Sequence, residues 1–399
     1  MTVGSALGAG HLQARLAKSL FWASAGVVVA TYAGFPVALV ARGRLRPRAV
    51  RAADVTPTVT VVIAAHNEEQ GLGDKLLSVL ACDYPADRLD VVVASDGSTD
   101  GTVRVASGFR DDGVRVLDLP RGGKAATLNM AVATCESDVI VLSDANNPLD
   151  PAALREIVRP FADDEVGGVA GDQRYVPARD GNATTGERSY WALDRVVKEA
   201  ETAGGSVVSA TGALYAVRRE LFPVVVEGVT DDFWVSTEVV RAGHRLVHAS
   251  EAVVYEEPAA KSGLEFRRKV RVMTRGLYGV YRRRELLDVR RFGFYSVQLL
   301  CHKVLRRLMV VPLVLMWVSS VLAARRGGAV WRLLAAGQTV GYAAGLTGLR
   351  VSVPGKAGRL LALGSYFVMI NGASAAAVWN LVRGHRITVW EPARERDGS

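Results

Sequence analysis

Asp138-Val139-Ile140-Val141-Leu142-Ser143-Asp144-Ala145-Asn146 is the stretch whose reading decides the fold. Residues 139–142 are apolar and mostly β-branched, the pattern of a buried strand, and a carboxylate stands at the tip. In an open parallel α/β sheet, ligands gather beyond the carboxyl ends of the strands, which places Asp144 where a substrate sits. Asp90-Val91-Val92-Val93-Ala94-Ser95 ends the same way, at Asp96-Gly97-Ser98, and Thr230-Asp231-Asp232 follows far along the chain. A single strand-tip aspartate is as readily a helix cap or a turn former. Three such sites in a domain tied to a membrane point to metal-assisted chemistry.

The membrane tie is read from composition. The 399 residues leave room for one substantial α/β domain and a further module, and the 49% apolar content is unevenly placed. Residues 19–40, 307–324, 329–349 and 360–382 are nearly charge-free. Each is long enough for a hydrocarbon core of about 30 Å. Arg15 and Lys18 give the first run a signal-peptide look, but its length and the following Arg42, Arg44, Arg46 and Arg48 make it a retained anchor. The net charge of +9 is local, in clusters at 42–51 and 261–284. Both flank membrane-length segments, so anionic lipid explains them and nucleic acid is not the expected partner. Cys82, Cys135 and Cys301 are too scattered for a disulfide scaffold or a thiolate zinc site and fit a reducing cytosolic side.

The expected organisation is an arm and transmembrane helix at 1–41, a basic tether at 42–57, a cytosolic domain at 58–260, amphipathic interface helices at 261–306, a transmembrane region at 307–382 and a charged tail at 383–399. Basic flanks put 42–306 in the cytosol. Four spans would then leave both ends outside, whereas Arg383, Arg386 and the tail carry cytosolic charge. Either one segment is re-entrant or interfacial, or 294–323 holds more membrane structure than this division gives it.

Within the domain, strand 58–65 leads to His66-Asn67-Glu68-Glu69, and helix 71–81 buries Leu72, Leu76, Leu77 and Leu80. Helix 102–109 and strand 114–117 lead to Arg121-Gly122-Gly123-Lys124. Its glycines permit a tight turn that aims backbone N–H groups and Lys124 at an anion, though the same pattern suits a solvated lysine at the start of helix 125–134. Pro151 opens a helix to about 161, strand 166–170 follows, and 175–186 is loop. Helix 187–202 is broken by Gly204-Gly205. Ser209-Ala210-Thr211-Gly212-Ala213 is small enough for close backbone approach to a ligand, or is a plain tight turn. A helix from 231 or 232 to 240 and strands 245–249 and 252–256 complete it. Phe266, Val270, Met273, Leu277 and Val280 then recur at helical spacing among arginines, as in a basic helix lying at a bilayer surface. His385 and Trp390 carry no assigned chemistry beyond interfacial anchoring by the tryptophan.

The ordered set His66-Asn-Glu-Glu, Asp96-Gly-Ser, Gly123-Lys124, Ser143-Asp144-Ala-Asn146, Ala210-Thr-Gly-Ala213, Thr230-Asp-Asp232 and Arg268-Lys-Val-Arg271 resembles membrane-bound family 2 glycosyltransferases over roughly residues 55–310. That group spans cellulose, chitin and hyaluronan synthase-like enzymes and bacterial exopolysaccharide transferases. The resemblance implies a Rossmann-like nucleotide-diphospho-sugar transferase domain, called GT-A, and inverting transfer from a nucleotide sugar, usually a UDP-sugar, to a glycan or lipid-linked acceptor. It implies that Ala65, Glu68 and Asp96 form the nucleotide pocket and that Lys124 lies near the nucleotide. Asp144 would hold the diphosphate through Mg²⁺ or Mn²⁺, with Asn146 beside it, and Asp232 would be the general base. Arg268 and Arg271 would steady the leaving diphosphate, or equally face phospholipid.

Two departures from the family pattern carry weight. The usual Asp-x-Asp is Asp144-Ala-Asn146, which rests metal grip mainly on Asp144. The Gln-x-x-Arg-Trp of processive relatives is replaced by Arg268-Lys-Val-Arg-Val272, which favours adding one or a few sugars over a processive synthase that also exports its polymer. A silent sugar-nucleotide sensor or transporter subunit is the reading from another class; an intact base and a metal-side acid argue against it.

Overall fold

A computed structural model describes residues 3–175, 185–256, 262–326, 328–351, 353–385 and 387. The expected loop at 175–186 and the tail at 383–399 fall mostly, and Arg386 and Trp390 wholly, outside the described residues. The chain forms two compact units. One holds the described residues of 38–261 and 278–296; the other holds those of 1–37, 262–277 and 297–385.

The first unit is built on a seven-stranded sheet: β1 (Val59–Ala65), β2 (Leu89–Asp96), β3 (Val114–Leu119), β4 (Val139–Leu142), β5 (Val166–Tyr175), β6 (Tyr215–Arg218) and β7 (Arg245–Glu256), in the order β3-β2-β1-β4-β6-β5-β7. The β3-β2-β1-β4 half is parallel, β6 runs antiparallel to both β4 and β5, and β7 is parallel to β5. β1 is buried along its whole length, as a strand covered on both faces must be. Ala65 pairs with Ser95 and Val62 with Leu142, so His66, Asp96 and Asp144 leave the sheet at one edge.

Local differences from the sequence reading have local causes. The Leu72–Leu80 helix buries Leu72, Lys75, Leu76 and Val79, while Leu77 is 57% exposed, because a lysine occupies the core register where a leucine was expected. β6 was not anticipated: four residues after a small-residue turn carry too little pattern. The two expected strands at 245–256 are one, with a register shift against β5 between Ala170 and Asp172. The expected tether lies on the domain: Arg48 N donates to Ala203 O at 2.8 Å, and the buried Arg245 guanidinium donates to the carbonyls of Arg48 and Ala49.

The arm and first anchor form one helical run, Val3–Val29 and Phe35–Leu45 joined by a π-turn at Ala30–Gly34, which belongs to the second unit as far as residue 37. Among the described residues two helices are long and apolar enough to cross a membrane, Leu12–Leu45 and Ala357–Val382, and the pair Phe294–Leu308 with Val310–Ala324, bent by 54°, makes a third if it is one broken span. The 329–349 segment forms the Ala329–Gly348 helix, which does not meet that measure. This helix crosses Gly355–Val382 at glycine. A Cβ on Gly345 would lie 2.7 Å from Gly364 O, and one on Gly348 would strike Ser365 Oγ. Such contact is how helices approach closely in lipid.

Candidate active site

The site forms where β1, β2 and β4 end. Asp96 is wholly buried at the tip of β2, where an unpaired carboxylate would be costly. Its Oδ1 accepts Gly122 N (2.7 Å) and Gly123 N (2.9 Å), and its Oδ2 accepts Arg121 Nη1 (2.7 Å). Gly97 makes this seat possible: it adopts φ +58, and a Cβ on it would lie 2.8 Å from Arg121 N. Gly123 takes φ +84, and its turn hands the chain to the Lys124–Val132 helix.

The glycine turn delivers Lys124 to the acids. Its Nζ lies 2.9 Å from Asp144 Oδ1 and 3.2 Å from Asp231 Oδ2. Burial alone would lower the Lys124 pKa, but the charges of Asp144 and Asp231, with Asp232 behind them, more than offset it and hold the ammonium above the ordinary lysine range. Asp231 and Asp232 occupy the first turn of the Asp231–Arg241 helix, where carboxylates suit the positive end of the helix dipole. Asp231 Oδ2 also accepts the Tyr215 hydroxyl at 3.4 Å, and Asp232 Oδ1 accepts Phe233 N at 2.7 Å. Burial, then the charges of Asp231, Asp232 and Asp144, raise the Tyr215 pKa well above a phenol's ordinary value, so its hydroxyl remains a donor.

Asp144, with a side chain 40% exposed, is the open acid of the group. Gly212 closes in on it: a Cβ there would lie 3.4 Å from Asp144 Oδ2, so the small-residue turn is a close backbone approach to the acid. Behind the loop, Lys75 Nζ donates to Ser143 Oγ and to Asn147 O, both at 2.6 Å. Burial lowers the Lys75 pKa to about 7, with the charges of Asp144 and Cys82 acting against it.

The structure thus joins Asp144, Lys124 and Asp231 by contact, with Asp232 adjacent, and seats Asp96 under the loop that carries Lys124. Ala65 ends β1 opposite Ser95, and Glu68 N donates to Thr102 Oγ1 at 2.8 Å. Asn67, at φ 55, accepts Thr99 N at 2.8 Å, which ties this segment to the one after Asp96. Asn146 is half-buried beside Gly71. Arg268 and Arg271 lie on the Ser262–Arg282 helix in the second unit, half-buried, each with interactions of its own. Sequence reasoning missed Tyr215 and Lys75. For Lys75 a signal existed, a lysine in step with Leu72, Leu76 and Val79.

A divalent ion fits this donor set. Among the described residues no three acidic, histidine or cysteine side chains form a cage, but Mg²⁺ commonly takes one or two carboxylates and completes its shell with water and substrate phosphate. The Lys124 ammonium sits between Asp144 and Asp231, so opposite charge holds the two acids together at the strand ends.

Residues 57–279 match a family described as "Glycosyltransferase like family 2". The probable glycosyltransferase YdaM of Bacillus subtilis is 26% identical over 217 residues, 50% of this chain and 51% of that protein. The beta-monoglucosyldiacylglycerol synthase of a Synechocystis strain is 26% identical over 185 residues, 44% of this chain and 39% of that one. The chain therefore spans about half or less of the length of the curated relatives it matches. Among solved structures, a mannosyltransferase from Pyrobaculum calidifontis in complex with GDP-Man and Mn²⁺ superposes with a TM-score of 0.70 at 23% identity, covering 91% of this chain and 99% of that one.

Proposed function

The chain belongs to the family 2 glycosyltransferases and carries their GT-A fold, and from that premise we propose that it transfers a sugar, with inversion, from a nucleotide sugar of the UDP class to a hydroxyl of a membrane-associated glycan or lipid-linked acceptor. The observation that carries the reading is the Lys124 ammonium between Asp144 and Asp231 at the strand ends, with Asp232 alongside.

Each residue has a physical task in this reading. Asp96 holds the 121–123 turn from below, and with Ala65 and Glu68 it shapes the pocket for base and ribose. Asp144, with the neutral amide of Asn146 beside it, would hold Mg²⁺ or Mn²⁺, which when bound supplies positive charge to the departing diphosphate. Asp232 closes the Thr230-Asp-Asp232 triplet in the first turn of its helix, next to the acids that hold Lys124, which supports giving it the base role. The acceptor oxygen bonds to the anomeric carbon and its proton passes to the Asp232 carboxylate. The bond from that carbon to the diphosphate oxygen breaks from the opposite face, and the electron pair leaves with the nucleotide. Arg268 and Arg271 are assigned to the leaving charge.

Val272, where processive relatives carry tryptophan, supports the addition of one or a few sugars. The name of the Synechocystis relative fits a lipid acceptor. Membrane lipid is the second partner, through the basic 261–284 stretch, with the sheet domain on the cytosolic face.

The test is release of UDP from UDP-sugars with Mn²⁺ and lipid-extract acceptors. Asp232→Asn is expected to keep nucleotide binding and lose about 10²–10⁴-fold in transfer; transfer at the wild-type rate would remove Asp232 as base. Asp144→Ala is expected to abolish metal-dependent nucleotide binding, and unchanged affinity would end its metal role.

A further inference from the structure

Lys75 is a charged group that this chemistry leaves unused. Lysine is almost never fully buried unless paired, yet Lys75 has 0% exposure in a helix whose neighbours Leu72, Leu76 and Val79 fill the core. Among the described residues both of its hydrogen-bond acceptors are neutral, Ser143 Oγ and Asn147 O. Burying an amine there penalises its charged form, and methionine would fill the space without that cost.

What the amino group holds is specific. Ser143 stands just before Asp144 and Asn147 just after Asn146, so one nitrogen donating two hydrogen bonds grips both ends of the loop that carries the two oxygen donors. Ser143 Oγ passes the connection on to Ala213 O at 2.5 Å. On the outer side, Gly212 closes on Asp144. Gly71, at the head of the lysine's own helix, packs so near that a Cβ on it would lie 3.3 Å from Asn146 Cβ. The loop is thus fixed from behind by Lys75 and confined at its two donor side chains by two glycines.

We propose that Lys75 is a positioning residue, one that locks residues 143–147 in the geometry by which Asp144 and Asn146 present oxygen to a divalent ion and the diphosphate it carries. The inference rests on the metal role given to Asp144 above. Groups that orient metal ligands typically matter by about 10–100-fold in metal affinity, and a loop displaced by about 1 Å costs about 10²-fold in rate.

The experiment is calorimetric titration of UDP into the full chain across a Mn²⁺ series, for wild type, Lys75→Met, Ser143→Ala and the double variant, with thermal unfolding in parallel. Lys75→Met is expected to raise the Mn²⁺ concentration for half-maximal effect by about 10–100-fold, with metal-free UDP binding unchanged. Ser143→Ala should show a smaller shift in the same direction, and the double variant no more than Lys75→Met alone, because both act through one contact. A folded Lys75→Met protein with the wild-type Mn²⁺ response overturns the proposal, as does equal loss of metal-free binding, the mark of a merely structural lysine. If Lys75→Met does not fold, an unchanged Mn²⁺ response in Ser143→Ala overturns it. Wild-type binding indifferent to Mn²⁺ would remove the metal role of Asp144 and this inference with it, whereas a normal wild-type response with unchanged variants rejects this inference alone.

Discussion

His248 shows how a single residue can make this fold sensitive to acid away from the carboxylates. Its ring lies on β7 with a fully buried side chain, and Nδ1 donates to Ala170 O at 3.2 Å. The charged groups around it are Asp172 and Arg174 on β5, and Asp194, Arg195 and Lys198 on the Thr185–Gly204 helix. Burial and then the charge of Lys198 push its pKa down to about 4, against the pull of Asp172. The unfolded chain, with histidine near 6.5, binds a proton between those values that the native state refuses. Stability therefore falls as pH drops from about 6.5 toward 4, by roughly 2 kcal/mol at pH 5 from this group alone. Thermal unfolding at pH 7.5 and 5 should show a larger acid loss in wild type than in His248→Gln; equal losses would exclude His248 as the cause. The residues of the site itself were unequally legible. Asp144 and Lys124 leave a signal shared with plainer roles, one as an acid at the end of an apolar run, the other behind two glycines. Tyr215 and Lys75 are harder to read, because their meaning comes from what tertiary packing sets against them.

Among the elements, the turn at 121–124 does the most with the least sequence. Its place is fixed by Asp96 and by the room that Gly97 leaves, since φ +58 and an approach of 2.8 Å to Arg121 N exclude a side chain. Gly97→Ala should therefore shift the turn, withdraw Lys124 from Asp144 and Asp231, and weaken UDP binding by about 10-fold or more, while the buried β1 and β2 core is untouched. Binding measured alongside unfolding checks this: wild-type affinity in a folded variant would show that the turn is not seated through Gly97. The parallel strands β1, β2 and β4 were readable because burial on both faces writes unbroken apolar runs. β6 was not, since four residues ending in Arg218 satisfy a ladder only once β4 and β5 are already beside them. The helix after β1 was found but misread at Leu77, because periodicity assumes that the core register is apolar and Lys75 breaks that assumption.

For the whole molecule, the bent pair bears on the topology. Counted as one crossing, it joins Leu12–Leu45 and Ala357–Val382 to give three, an odd number. On that count the prediction is that the Arg383 end shares the side of the sheet domain, in line with the positive charge at both. Reporter fusions after 261 and after 385 should give the same sidedness; opposite signals would restore an even count. The 329–349 run is apolar enough in sequence to suggest a crossing, while its helix falls short of the span measure. This last helix pair also bears on where a growing sugar strand is able to travel. At Gly345 and Gly364 the two backbones touch with no side chain between them, so the seam is a shut door. Any polymer passing through the bilayer beside this chain must find its doorway elsewhere.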